Sequence, residues 1–345
     1  MRKIKYLIKR VVNMNFSNFF NYINKTHHRS NKNKIYLFLD VMYCGLKYQA
    51  GYMDYYLFEM ETMNKAQRET VITRGKNNSI ITFFNDKSQF STFLNKPKFN
   101  KTFDQFINRD WIFITNESFT EFEDFIKNKQ YVVAKPTDGT CGKGIEIIDL
   151  NLWEKNKLFN YLINNKITLL EEKILQDDKV NEVYPNSINT IRIITLCNKK
   201  NEKSTVFAAY FRIGNNNKIV DNFNSGGMVV PINVEDGKII YPALDKDGNL
   251  YKSHPLTNKN IVGYTIPKWN EVKKLAKELA QIETKVGIVG WDIAITKDGL
   301  DVVEGNEFPG HDIYQLPPHR TNNVGMLPRF EEAINEIGLT KKDIF

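Results

Sequence analysis

The stretch GWDIAITKDGLDVVEGNEFPG, Gly290 to Gly310, places two carboxylates where a hairpin would set them face to face. Trp291–Thr296 and Leu300–Val303 are rich in strand formers, and Lys297-Asp298-Gly299 is turn chemistry. With those three residues as the loop, Thr296 faces Leu300, and counting back sets Asp292 opposite Glu304. Cross-strand partners share a face about 5 Å apart, and like charges there repel. Asn306, two residues beyond Glu304, joins that face if the strand continues. Two carboxylates and an amide oxygen are hard ligands suited to Mg²⁺ or Mn²⁺. A one-residue slip would instead leave two solvated acids on an exposed hairpin.

Four further stretches carry chemistry of their own. In YVVAKPTDGTCGKGIEII (131–148) a strand ends in Lys135, and a loop with Gly139, Gly142 and Gly144 precedes another strand. Glycines let backbone N–H groups approach phosphate, and Lys135 and Lys143 supply charge. The loop is neither a Walker loop, because Gly144 follows Lys143, nor GxGxxG, because position 147 is Ile. An ordinary glycine-rich hairpin has the same appearance. In ITLLEEKILQD (167–177) an apolar strand runs into Glu171-Glu172 and resumes at Ile174-Leu175, a strand end able to line a planar base or simply to face water. Arg192 sits inside the apolar strand of NSINTIRIITL, where it needs a salt-bridge partner or an anionic ligand. Asn222, Asn224, Ser225, Gly226 and Gly227 form a polar loop, either a turn or a nest of donors for an anion.

The elements that must position these residues are short. Lys101–Asn108 reads as helix and Trp111–Thr115 as strand. Ser118–Lys127 reads as a helix with Ser118 as N-cap and Glu121 completing a capping box. Tyr131–Lys135, Ile145–Leu150, Ile167–Leu175, Thr190–Leu196, Val206–Ile213 and Met228–Ile232 read as strands, and Lys268–Val286 as an amphipathic helix. Strands and helices mix without strict alternation, so the expected class is α+β.

Composition sets the outer bounds. The 345 residues suffice for two or three lobes, and 41% hydrophobic with 12% aromatic content fits a globular chain. Cys44, Cys141 and Cys197 form no CxxC pair, and the odd number argues for a reducing cytoplasm. The net charge of +8 is concentrated at one end: residues 1–39 carry nine Lys and Arg and no Asp or Glu. The rest is close to neutral, which speaks against a nucleic-acid partner. Ile4, Leu7, Ile8, Val11 and Val12 recur at helical spacing among the first basic residues. They would form a helix packed on the protein itself or lying on an anionic membrane surface. The apolar run is too short and too broken by charge for a signal peptide, and no stretch approaches the ~20 apolar residues of a membrane span.

The order of these features is more specific than any one of them: Lys-ended strand, glycine loop, acidic strand end, strand arginine, Asn-Gly-Gly loop, then Asp…Glu-x-Asn. It resembles the ATP-grasp superfamily, most closely the sugar-transfer-associated branch of bacterial surface-polysaccharide loci, over about residues 95–320. The resemblance implies two α+β lobes sandwiching ATP after an N-terminal, mostly helical region. Residues 1–95 would be a basic helix and accessory region, and 96–345 the ATP-grasp domain, with a smaller ATP lobe at about 111–175 and a larger metal lobe at 176–330. By the same resemblance Lys135, Gly142, Lys143 and Gly144 would close over the ATP phosphates. Glu172, Lys173, Ile174 and Leu175 would form the adenine pocket. Arg192 would act with Lys135 in catalysis, contacting the γ-phosphate. Asn224, Gly226 and Gly227 would hold phosphate or substrate. Asp292, Glu304 and Asn306 would bind two Mg²⁺ ions, with Mn²⁺ an alternative. Asp177 and Asp178 compete for the ribose, and the resemblance does not choose between them. The implied activity is an ATP-dependent carboxylate–amine ligase working through an acyl-phosphate in capsule or O-antigen synthesis. Its partners would be a small or sugar-linked carboxylate, an amine and a lipid-linked glycan. The enzyme would be cytoplasmic, with the inner membrane face as a peripheral location. A hydroxyl kinase and a non-catalytic nucleotide-binding partner in glycan assembly are the alternatives.

Overall fold

A computed structural model describes residues 14–137, 144–218 and 220–345. The basic segment 1–13 and the loop residues Gly139, Cys141, Gly142 and Lys143 lie outside the described residues, as does Ile219. Two compact units emerge: residues 14–83 with 310–345, and residues 84–309.

The first unit is helical. Asn15 caps the helix Phe16–Ser30 by accepting from the Asn18 N–H, and Asn33 caps Lys34–Tyr48 in the same way. Phe19, Ile23, Leu37, Val41, Cys44 and Tyr55 build its core. Residues 310–345 join this unit through specific polar bonds. Gln315 exchanges hydrogen bonds with both backbone groups of Ile72, at 3.1 and 2.7 Å, and His311 meets Asp54 at 3.0 Å. Contacts therefore divide the chain differently from the expected 1–95 and 96–345. The last segment packs with the N-terminal helices because its buried polar groups find partners there.

The second unit holds two antiparallel sheets. The smaller has strands β1 (Trp111–Phe113), β2 (Tyr131–Lys135), β3 (Glu146–Asp149) and β4 (Leu169–Glu172) in the order β1-β4-β2-β3. Helices Phe119–Ile126 and Lys155–Asn164 cover one face, where Phe122, Val132, Ala134, Leu158, Leu162 and Leu170 pack. Alternation then turns Lys135, Leu169 and Glu171 to the other face. Ser118 does not cap its helix as expected. Its hydroxyl bonds the N–H of Thr115 at 3.1 Å, a local bond that competes with the cap.

The larger sheet has β5 (Thr190–Cys197), β6 (Ser204–Ile213), β7 (Met228–Pro231), β8 (Ala243–Asp245), β9 (Leu250–Tyr251), β10 (Ile288–Thr296) and β11 (Gly299–Asn306), ordered β11-β10-β5-β6-β7-β8-β9. The helix Trp269–Leu279 buries Trp269, Val272, Ala276 and Leu279, a stripe at helical spacing, in the core that includes Ile191, Ile193, Phe211 and Ile293 of the sheet. It ends well before the expected Val286. Each large side chain buried here contributes roughly 2 kcal/mol of transfer free energy. That packed face leaves the residues of opposite parity on β5, β6 and β10 free to carry charge.

Candidate active site

Asp292 does lie opposite Glu304, by a route other than the one expected. Thr296 pairs with Gly299, not Leu300, so only Lys297 and Asp298 form the turn. A bulge then leaves Val303 unpaired, since Ile293 faces Val302 and Asp292 faces Glu304. The shorter turn and the extra residue cancel. Asn306 pairs with Gly290, on the same face as Glu304, and its Oδ1 accepts from the Phe308 N–H at 2.9 Å.

The neighbouring strands add charge to this row. Arg192 on β5 is the direct cross-strand partner of Asp292 and grips it with Nε and Nη2, the latter at 2.7 Å. Arg192 Nη2 also lies 3.5 Å from Glu304. Gly290, next along the row, leaves room for that side chain: a Cβ there would meet Arg192 Cδ at 3.1 Å. Arg212 on β6 donates from Nη1 to Asp292 Oδ2, the oxygen that also accepts from Arg192 Nη2, and its own Nη2 lies 3.0 Å from Asp221. Asp221 in turn accepts from the backbone and hydroxyl of Thr190. The result is an alternating chain, Asp221–Arg212–Asp292–Arg192–Glu304, buried except at its last member. Burial opposes charge on Asp292, but Arg192 and Arg212 outweigh it and hold the carboxyl well below the usual range. Glu304 is pushed up, by the surrounding protein first and by the charge of Asp292 second. Its side chain keeps 56% of its surface exposed, so water reaches it and the Asp292 charge is the cause to weigh.

Three carboxylates against two guanidiniums leave one negative charge in excess, at the open end. A divalent cation suits that end. Glu304 offers exposed oxygens, Asn306 an amide oxygen on the same face, and Asp292 the acceptor capacity its two arginines leave unused. Among the described residues no group of three His, Cys, Asp or Glu forms a metal cluster, since the third donor here is an asparagine.

Lys135 is not brought to this row. Its ammonium meets Glu171 at 2.5 Å, in a second buried network. Arg109 grips both oxygens of Glu171, at 2.8 and 3.1 Å, and reaches Asp301 on β11 at 2.6 Å. Asn100 adds a bond to Glu171 at 3.0 Å. Arg109 and Lys135 hold the Glu171 carboxyl well below its usual range although burial opposes this. Glu171 and Arg109 thus tie the two sheets together.

Beyond β4 the chain crosses from one sheet to the other. Glu172 is exposed, and Lys173 lies over the Tyr131 ring at 5.2 Å. Ile174 is half-buried and Leu175 exposed, and the Leu175 carbonyl accepts from the Lys297 N–H at 3.2 Å. Asp177 accepts from Lys179 N at 2.9 Å as an N-cap, whereas Asp178 is exposed and 3.3 Å from Lys297. Gly144 is left-handed, with φ of 74°. In the Asn-Gly-Gly loop, Asn222 caps a short turn by accepting from Asn224 N, and Gly226 is left-handed. Gly227 has a backbone reason to be glycine: a Cβ there would meet the Asp221 carbonyl oxygen at 2.3 Å.

Sequence reasoning missed Arg212, Asp221 and Arg109, and fixed on Glu172 where Glu171 is the buried member. The signal for Arg212 was present, a lone arginine in the apolar run VFAAYFRI, the same pattern that singled out Arg192.

No curated protein sequence matches this chain. Solved structures resemble it at low identity. The ATP-grasp ligase PsnB complexed with minimal precursor matches at 12% identity and a TM-score of 0.44, covering 73% of this chain and 64% of that one. The ADP complex of purK, N5-carboxyaminoimidazole ribonucleotide synthetase, matches at 16% and 0.44, covering 69% and 51%. D-alanyl-alanine synthetase A from Vibrio cholerae O1 biovar eltor str. N16961 matches at 10% and 0.40, covering 73% and 62%. The chain thus spans between half and two thirds of these proteins, and likeness at this level says nothing of its substrates. The family assignment is independent of them. The model described as sugar-transfer associated ATP-grasp matches residues 75–333 of the 345, and the chain belongs to that family of ATP-grasp enzymes.

Proposed function

We propose that the protein is an ATP-dependent carboxylate–amine ligase of bacterial surface-polysaccharide synthesis. The observation that carries this reading is the charged row ending in an exposed Glu304 with one negative charge in excess. Such a row suits Mg²⁺-bound ATP phosphates, with arginine beside them and apolar sheet behind.

The γ-phosphoryl group of ATP passes to a carboxylate oxygen, giving an acyl-phosphate and ADP. An amine nitrogen then attacks the acyl carbon, phosphate leaves with the bonding pair, and the amine proton goes to phosphate or water. No covalent enzyme intermediate is needed, so positioning and electrostatics supply the rate. Arg192, fixed by Asp292, presents its guanidinium edge beside Glu304 for the transferring phosphoryl group. Asp292, Glu304 and Asn306 would hold two Mg²⁺ ions, which supply charge neutralisation on the phosphates when bound. Lys135 with the loop Gly142-Lys143-Gly144 would cover the phosphates from the small lobe, 111–175. Glu172 to Leu175 would offer backbone and apolar surface to adenine. Asp178, whose carboxylate is open, would meet the ribose, and Asn224, Gly226 and Gly227 would bound the acceptor side of the larger lobe.

The substrate class is a sugar-linked or small carboxylate and an amine such as an amino acid, on a lipid-linked glycan at the cytoplasmic face of the membrane. No helix among the described residues is long and apolar enough to cross a membrane. Cys44 and Cys197 are free thiols, in keeping with a reducing compartment.

A hydroxylamine trap tests the reaction. The protein is incubated with Mg-ATP, hydroxylamine and pooled carboxylates, including uronic and amino acids, with Glu304→Gln as control. Hydroxamate formed with ADP, and lost in the control, is the expected result. ADP with a stable phosphorylated product and no hydroxamate would replace the ligase by a kinase. ATP bound but never turned over, with any acid in the pool, would leave a non-catalytic nucleotide-binding partner.

A further inference from the structure

The helix Lys34–Tyr48 is apolar on two opposite faces. Leu37, Val41, Cys44 and Tyr48 form the inner stripe, at successive spacings of four, three and four, and all are buried. Ile35, Leu39 and Leu46 stand two residues before Leu37, Val41 and Tyr48, while Met42 between them packs partly against the inner core. Two residues is about 200° around a helix, so this second stripe looks outward. Ile35, Leu39 and Leu46 expose 72%, 61% and 62% of their surface, and Tyr36, Phe38 and Tyr43 beside them are also exposed. The patch continues onto the preceding helix, where the exposed Phe20 stacks on Phe38 with centroids 6.5 Å apart. A surface helix in water normally turns a polar face outward, and a contiguous apolar patch on a monomer marks a contact site.

We propose that this outward face docks on an anionic lipid bilayer. The rim decides between occupants. Between Asn15 and Met53 the only acidic residue is Asp40, and its carboxylate is engaged by Arg68 and the Tyr55 hydroxyl. The same segment carries Lys25, Lys32 and Lys34, together with Arg29 and Lys47, which are already paired with Glu61 and Glu69 from outside it. Two copies meeting on this face would set cations against cations, whereas anionic headgroups complement them. Tyr36 and Tyr43 flank the aliphatic stripe with apolar rings and polar tips, the side chains favoured at the headgroup level. The helix therefore lies in the interface plane, its leucines in the acyl boundary and its lysines at the phosphates. The ligase reading supplies only the reason for being at a membrane. The docking face stands on its own geometry.

Co-sedimentation of the full chain with vesicles tests it without ATP or acceptor, so its outcome is separate from that of the hydroxylamine trap. The vesicles are phosphatidylcholine alone or phosphatidylcholine with 30% phosphatidylglycerol, at low and high salt. Binding to the anionic vesicles is expected, falling with salt and falling roughly tenfold or more in Leu39→Glu/Leu46→Glu. Leu39→Ser/Leu46→Ser, judged by an unchanged thermal melt, guards against misfolding, because both side chains already face water. No binding by the parent chain overturns the proposal. So does binding that both double variants retain, which would assign the affinity to basic residues elsewhere. A concentration-dependent dimer seen by light scattering, abolished by the variants and unaccompanied by vesicle binding, overturns it in favour of a second copy.

Discussion

Arg212, on β6, closes an ion pair with Asp292, on β10, across the intervening strand β5. It also holds Asp221, so one guanidinium compensates two buried carboxylates. Arg212→Met would leave both with a missing partner in a low-dielectric setting. Breaking a buried pair from one side costs about 3–5 kcal/mol. Urea unfolding should show a loss of that order in Arg212→Met. Arg212→Met/Asp221→Leu should recover part of it, because the double change removes one stranded charge. A loss below about 1 kcal/mol would mean the row is hydrated and not a buried network.

The two acids of the hairpin should separate stability from activity. Asp292 is 2% exposed and sits between two arginines, so Asp292→Asn strands buried positive charge and destabilises the fold. Glu304 is the open end of the row, and Glu304→Gln should change stability by less than about 0.5 kcal/mol. Under the proposed function the same change lowers ADP formation by about 10²-fold or more, with the scale set by losing one group that stabilises transition-state charge. Equal loss of stability in both variants would contradict this division of roles.

Asp177 and Asp178 are adjacent acids with different surroundings. Asp177 caps the turn Asp178–Asn181, and Asp178 projects into solvent beside Lys297. Asp177→Ala should cost about 1 kcal/mol of stability through the lost cap, with KM for ATP unchanged. Asp178→Ala should leave stability unchanged and raise KM for ATP several-fold if it meets the ribose. Thermal melts and ATP titrations on the two variants read both effects, and the reverse pattern would exchange the assignments.

How much of this was legible in the sequence depends on the range of the interaction. The pairing of Asp292 with Glu304 was readable because a hairpin is local. It emerged even though the turn was one residue too long, since the unseen bulge at Val303 restored the register. Arg192 was readable as a charge needing a partner, but the partner was not, because β5 and β10 are about a hundred residues apart in the chain. Arg212 carried the same signal, a lone arginine in an apolar strand, but its partners Asp221 and Asp292 meet it only in the folded sheet. Glu171 and Glu172 differ by one step of strand alternation, and which face is buried depends on Arg109, some sixty residues earlier. Gly227 read as a ligand glycine, while the fold gives it a second reason, the close approach of the Asp221 carbonyl.

His254 predicts the acid limb of the stability curve. The residue is fully buried, with its ring 5.0 Å from that of Tyr184. Nε2 donates to the Gly214 carbonyl at 2.9 Å, and Nδ1 accepts from the Leu256 N–H at 3.2 Å. Both nitrogens are satisfied only in the neutral ring, since a proton on Nδ1 would face another donor. Burial lowers the folded-state value below the usual 6.5, and the Gly214 carbonyl only partly opposes it. Between that lowered value and 6.5 the unfolded chain binds a proton that the folded chain does not. Stability therefore rises with pH through this window and is lost as pH falls below about 6.5. Carboxylates raised by burial, such as Asp221, act with the opposite sign, because the folded state then binds the extra proton. The comparison that isolates His254 is the urea midpoint at pH 7.5 and 5.5 in the parent chain and in His254→Gln. The variant should be less stable at pH 7.5 and should lose less on acidification. An unchanged drop between the two pH values would assign the acid sensitivity to other groups.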